Sequence, residues 1–211
     1  MRLLLTFGAV LLLCSCGSAP EKPKPSAGKA VNSTMPDVYQ VLFDTSKGSF
    51  VVEVHKDWAP KGAERFWKLV NAGFFDNSRI FRVRPDFIVQ FGLAADPQVT
   101  AMFNASPIDD DPVKQKNTKG TIAFAQSGPR SRRTQVFVNL KDNPDLDKTG
   151  FVPFGEVRLG LDVFEKLYAG YGEWEPPGHG PNVARIQTQG NSYLDERFPR
   201  LDKILRAKVT H

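Results

Sequence analysis

The chain has 211 residues, 41% of them hydrophobic and 24% charged, with a mean hydropathy of −0.32. This excludes a disordered polypeptide and allows one soluble domain with a sizeable core, plus extra sequence at the ends. The formal net charge is +5, but basic residues are scattered among acidic ones, so no nucleic-acid partner is expected.

Met1-Arg2 is a short positive start, and Leu3 to Leu13 is an apolar run of the length of a secretory h-region. A membrane span needs ~20 apolar residues, so the run is too short to be one. Leu13-Cys14-Ser15-Cys16-Gly17 resembles a bacterial lipobox, in which a small residue precedes the lipidated cysteine. Cys16 fits that place better than Cys14, which follows bulky Leu13. An ordinary signal peptide cut after Ala19 is the alternative, with Pro20 against it. Residues 1–15 are therefore expected to be a lipoprotein signal peptide, and Cys16 to carry lipid. The mature domain is then left without a thiol. The histidines, His55, His179 and His211, are far apart in sequence, and no metal site is expected.

Residues 16–36 contain Pro20, Pro23, Pro25 and Pro36 and almost nothing apolar. This reads as a tether that reaches roughly 60 Å when extended. The folded domain is expected over residues 37–211. Tyr39, Val41 and Phe43 alternate with Gln40, Leu42 and Asp44, and alternation resumes at Phe50, Val52 and Val54, which predicts a β-hairpin. Pro60 opens a helix with Ala63, Phe66, Trp67 and Val70 at helical spacing, and Gly73 stops it.

Ile80 to Gly92 gives two strands around a Pro-Asp turn, with polar Arg82 and Gln90 where apolar residues are expected. Leu93 to Gly120 shows no clear period and reads as a long loop. Its acidic run, Asp109-Asp110-Asp111, lacks the alternating ligand spacing of a calcium loop and reads as a solvated turn. Thr121 to Ala125, Val136 to Val138 and Val152 to Val157 are further strands. Arg130, Arg132 and Arg133 read as a solvated loop tip. Asp162, with Glu165 three residues on, reads as the N-cap of a second helix stopped at Gly170. After a Gly/Pro-rich stretch, Asn191 to Phe198 is a short helical insertion, and Ile204, Ala207 and Val209 close the chain as a strand. About eight strands joined mostly by turns indicate an antiparallel barrel or sandwich.

No serine elbow, phosphate-binding glycine loop or thiol nucleophile is present. Arg82, Gln90, Gln126 and Gln135, interleaved with apolar residues, hydrogen-bond without titrating near neutrality. Such a set suits a substrate that is bound and twisted rather than cut. Phe81 to Gly92 resembles the signature of the cyclophilin family of peptidyl-prolyl isomerases. Gly120 to Gln126 with Thr134 to Val138, and then Val152 to Val157, resemble two later blocks of that family in the same order.

The resemblance implies a mainly β fold, a closed eight-stranded antiparallel barrel capped by two α-helices, with a peptide groove on its outside. It implies peptidyl-prolyl cis/trans isomerase activity without a cofactor, acting on X-Pro segments. Carried over by position, Arg82 matches the catalytic arginine, and Gln90 the glutamine that bonds to it. Phe87, Ile88, Phe137 and Leu146 match the walls of the proline pocket, and Ala125, Gln126 and Gln135 the contacts to residues before the proline. The family usually has Asn where Gln126 stands. The rim tryptophan and histidine of better-known members are missing between Asn139 and Phe154, which implies weak cyclosporin binding. The expectation is a monomeric isomerase of the cell envelope, lipid-anchored and facing the periplasm or extracytoplasmic space, that assists folding of exported proteins. The alternatives are a non-catalytic module for Pro-containing peptides and a barrel with an internal apolar ligand, the latter disfavoured by the many bulky interior residues.

Overall fold

The structure is a computed structural model that describes residues 34–176 and 178–210. The expected signal peptide, Cys16 and nearly all of the tether lie outside the described residues. Eight strands form a single sheet: β1 (Val38–Thr45), β2 (Gly48–His55), β3 (Arg82–Val83), β4 (Ile88–Phe91), β5 (Thr121–Phe124), β6 (Val136–Asn139), β7 (Pro153–Leu159) and β8 (Ile204–Val209). Their order is β3-β4-β6-β5-β7-β2-β1-β8, and every ladder is antiparallel.

The expected hairpin is present, with Thr45 opposite Gly48. Tyr39, Val41, Phe43, Phe50, Val52 and Val54 all point inward and are buried. Inside the curl, Phe43 stacks on Phe50 with ring centroids 4.8 Å apart, and Phe66 meets Phe154 at 4.9 Å. Phe66 comes from α1 (Pro60–Asn71), whose buried face covers the core. Pro60 stands in its first turn, where a missing N–H costs nothing. Gly73, at φ +66°, ends it in the left-handed conformation expected of a stop.

Two expectations are corrected. The sheet is a curled half-barrel, not a closed barrel, because its ladder ends at β3 and β8. β3 is only two residues long, and the chain before it leaves the sheet: Phe81 turns into a second apolar cluster, and Arg79 turns to Asp195. The two ends meet through an isolated Arg79–Lys203 bridge with hydrogen bonds around it from Ile80 N–H to the Asp202 carbonyl, Ile204 N–H to the Ser78 carbonyl and Asn77 N–H to the Leu205 carbonyl, short of a ladder. The second correction concerns the helices. The segment Leu161–Lys166 is a 3-10 helix capped by Gly160, and Asp162 pairs with Lys166 instead of capping it. Phe164 still docks on Phe50, at 4.8 Å.

Four further α-helices occur: α2 (Pro97–Asn104), α3 (Pro144–Lys148), α4 (Val183–Gln189) and α5 (Asn191–Arg197). Helix α2 falls in the stretch read as a loop. Its start was nevertheless written as Asp96-Pro97, with the Asp96 carboxylate accepting from Gln98 N–H at 2.8 Å. Helices α4 and α5 supply Ile186, Tyr193 and Leu194 to the second cluster, which also takes in Phe81, Leu93 and Leu201.

Gly92 leaves β4 at φ +104°, and a Cβ there would lie 2.5 Å from the Thr134 carbonyl and 2.9 Å from Gln135 Cα. Gly92→Ala is therefore expected to cost about 2 kcal/mol or more, from strain plus the clash. A thermal melt checks this, and an unchanged midpoint would contradict the close approach.

Candidate functional site

Alternation along three neighbouring strands builds the site. Val89 and Phe91 of β4, Ile122 and Phe124 of β5, and Val136 and Val138 of β6 face the main core. Successive strand residues point to opposite faces, so Ile88, Ala123 and Phe137 form a separate cluster on the outside. Phe87, Ala125, Leu146 and Phe151 pack around it, with Phe151 edge-on to Phe137 at 5.5 Å. The result is an apolar cluster on the outer face that contains the four residues expected to hold a proline ring, Phe87, Ile88, Phe137 and Leu146. Helix α3 carries Leu146 into place, and Asn143 beside that helix ties the wall together by donating to the Phe87 carbonyl at 3.2 Å.

A polar relay runs along the same face. Arg82 lies opposite Gln90 in the β3–β4 register and donates from Nη1 to its Oε1 at 2.9 Å. Gln90 then donates from Nε2 to Gln135 Oε1 at 2.9 Å. The glutamine amide thus accepts on one side and donates on the other, which fixes its orientation. Gln126 donates to the Thr149 and Gly150 carbonyls at 3.1 and 3.2 Å, tying the end of β5 to the loop after α3. Gln90, Ala125, Gln126 and Gln135 also line one side of an adjoining groove of about 560 Å³. The structure thus gathers all nine residues expected from the sequence on one outer face.

Sequence reasoning missed the other side of the site, which comes from the Gly/Pro-rich stretch after the 3-10 helix. Glu173 accepts from Arg82 Nη2 at 2.6 Å and from Arg84 Nη1 at 2.8 Å, both on Oε2. Trp174 covers the Arg82 guanidinium at 3.9 Å, and Phe87 stands 5.8 Å away. Arg82 is left only 10% exposed, and its Nε is buried without a partner. An acid and a tryptophan amid glycines and prolines were the only local signal.

The charges follow from these contacts. Burial pulls the Arg82 pKa below its ordinary value, with the Glu173 hydrogen bond and charge opposing it, and a guanidinium stays cationic under any such pull. Burial alone would raise the Glu173 carboxyl. The Arg82 hydrogen bond and charge, the Trp174 N–H and Arg84 more than offset that and hold it below the usual glutamate value. Elsewhere, Glu53, His55 and Glu156 bring ligand atoms within 4.8 Å of one another on β2 and β7. Arg158 already occupies that cluster, at 2.9 Å from Glu156 and 3.7 Å from Glu53.

The family model described as cyclophilin type peptidyl-prolyl cis-trans isomerase/CLD matches residues 40–188. Peptidyl-prolyl cis-trans isomerase-like 1 of Aspergillus fumigatus is 34% identical over 133 residues, which are 60% of this chain and 80% of that one. Its Aspergillus oryzae counterpart is 35% identical over the same shares. Among solved structures, a cyclophilin type peptidyl-prolyl cis-trans isomerase of Cryptosporidium parvum superposes with a TM-score of 0.61 at 19% identity, covering 82% of this chain and 98% of that one. The same protein in the presence of the dipeptide Ala-Pro gives 0.60.

Proposed function

The chain belongs to the cyclophilin-type peptidyl-prolyl cis-trans isomerase family, and from that premise we propose that it twists X-Pro bonds by a non-covalent mechanism centred on Arg82. The observation that carries this reading is Arg82, oriented by Gln90 and lying over the Phe87 ring at 5.8 Å, beside the apolar cluster of Ile88 and Phe137. Rotation about an amide faces ~18–20 kcal/mol because resonance gives the C–N bond double-bond character. In the twisted state the proline nitrogen regains a lone pair. A fixed, charged donor meets that pair better than it meets the planar ground state, so its binding lowers the barrier. Nη1 and Nη2 each give one N–H to Gln90 and Glu173, so the guanidinium keeps further N–H donors for this role. Phe87, Ile88, Phe137 and Leu146 would hold the proline ring and keep water out, which strengthens the contact. Ala125, Gln126 and Gln135 would bind the residues before the proline.

The reading is tested by exchange spectroscopy on a short X-Pro peptide, with the full chain added. Accelerated cis/trans exchange is expected. Binding without acceleration would leave a non-catalytic module for Pro-containing peptides.

The place of work proposed is the cell envelope, where the domain would assist folding of exported proteins while anchored through Cys16. Support comes from the apolar run Leu3 to Leu13 and the small residues around Cys16. A fatty-acid probe supplied to bacteria producing the chain is expected to label it, and Cys16→Ser to abolish the label. Label that persists in this variant would contradict the assignment.

A further inference from the structure

The carboxylate of Glu173 sits where a ligand group would sit. Two guanidinium groups, from Arg82 and Arg84 at alternate positions of one extended segment, converge on its single oxygen Oε2 at 2.6 and 2.8 Å. Such convergence is an anion-binding fork, of the kind in which arginine outperforms lysine. The turn that delivers Glu173 is held by its own backbone, through Gly178 N–H to the Trp174 carbonyl and Gly180 N–H to the Glu173 carbonyl at 2.8 and 2.7 Å. Freeing the fork therefore needs the Glu173 side chain, already 21% exposed, to rotate away and give up the Trp174 N–H bond to its Oε1 at 3.1 Å, while the turn itself stays in place. Arg84 is 45% exposed and makes no other ion pair among the described residues.

We infer that the Arg82–Arg84 fork is a substrate subsite for a carboxylate following the proline, and that Glu173 is its internal occupant, displaced when an acidic X-Pro segment binds. The inference rests on the isomerase reading and names a substrate class for it. Its direction comes from the layout of the face. Gln90 leads from Arg82 towards Gln135 and, beyond it, Ala125, the side read as holding residues before the proline. Arg84 extends β3 the opposite way, its N–H bonded to the Ile88 carbonyl. A peptide that brings its own carboxylate replaces Glu173 at the fork. A neutral peptide must expel Glu173 and leaves Arg84 unpaired.

The experiment compares kcat/KM, by exchange spectroscopy without a coupling protease, for two peptides that differ only in Glu or Gln after the proline. At low salt the full chain is expected to favour the glutamate peptide by about fivefold, the scale of one partly screened ion pair. The preference should fall to near unity in Arg84→Gln and in ~1 M salt, where screening acts over ~3 Å. Glu173→Gln is expected to speed turnover of the glutamine peptide severalfold. Equal kcat/KM for the two peptides would overturn the subsite. A slower Glu173→Gln enzyme would show that Glu173 supports Arg82 and does not compete for it. Turnover of neither peptide would instead bring down the isomerase reading, and this inference with it.

Discussion

Arg82→Ala is expected to lower catalysed X-Pro exchange by about 10²–10³-fold, the loss seen when one well-placed transition-state donor is removed. Three features of the site set that magnitude. The guanidinium is fixed by Gln90 at 2.9 Å, it is mostly shielded from water, and it adjoins the pocket cluster through Phe87. Arg82→Lys keeps the charge but loses the fork and the stacking with Trp174, so it should recover only part of the rate. Arg82 is not part of the main apolar core, so far-ultraviolet circular dichroism of Arg82→Ala is expected to match the parent. Rates equal to the parent would sink the Arg-centred mechanism. The double variant Arg82→Ala with Glu173→Gln should be little faster than Arg82→Ala alone, because the donor whose release speeds turnover is already gone.

The inner and outer faces of β4, β5 and β6 were legible because alternation is a local property: Gln90 and Phe137 follow from their neighbours in sequence. The partners of Arg82 were not, since Glu173 lies 91 residues further on in a stretch whose glycines and prolines announce a turn but not its destination. Closure of the sheet was misjudged for a related reason. Strand patterns give the faces but not whether the first and last ladders meet, and Phe81 and Arg79 are drawn away from the seam by helices α4 and α5. The missing rim tryptophan is a subtler case. Trp174 brings an indole to Arg82 from a different segment, which no comparison of the Asn139 to Phe154 region reveals.

Charge runs misled the reading in the opposite direction. Asp109-Asp110-Asp111 and the arginines at 130, 132 and 133 each looked like solvated turns, yet Asp111 and Arg132 have side chains only 1% exposed and pair at 3.1 Å. Their neighbours Asp109, Asp110, Arg130 and Arg133 are exposed. A run is read by its average character, whereas burial selects one member of each.

That buried pair carries the largest stability effect expected in the molecule. Ala59 precedes α1 and offers no side-chain acceptor to its first turn. The need is met from 49 and 50 residues away, with Asp111 accepting from Lys61 N–H at 3.0 Å and Gly62 N–H at 2.9 Å. A carboxylate there satisfies orphan donors and complements the positive end of the helix. Arg132 donates to the same carboxylate and to the Asp109 carbonyl. Asp111→Ala strands a buried guanidinium and uncaps the helix at once, so a loss of about 3–5 kcal/mol is expected in denaturant unfolding. Asp111→Asn keeps an acceptor for the helix but not the charge, and should fall between. Asp111→Ala combined with Arg132→Met should be less damaging than Asp111→Ala alone, because no unpaired charge is left inside. A single-variant loss below about 1 kcal/mol would place the pair with ordinary surface ion pairs. The consequence reaches the site, because Arg132 lies three residues before Gln135 and five before Phe137. Loosening its anchor should therefore also raise KM for an X-Pro peptide well below the unfolding midpoint.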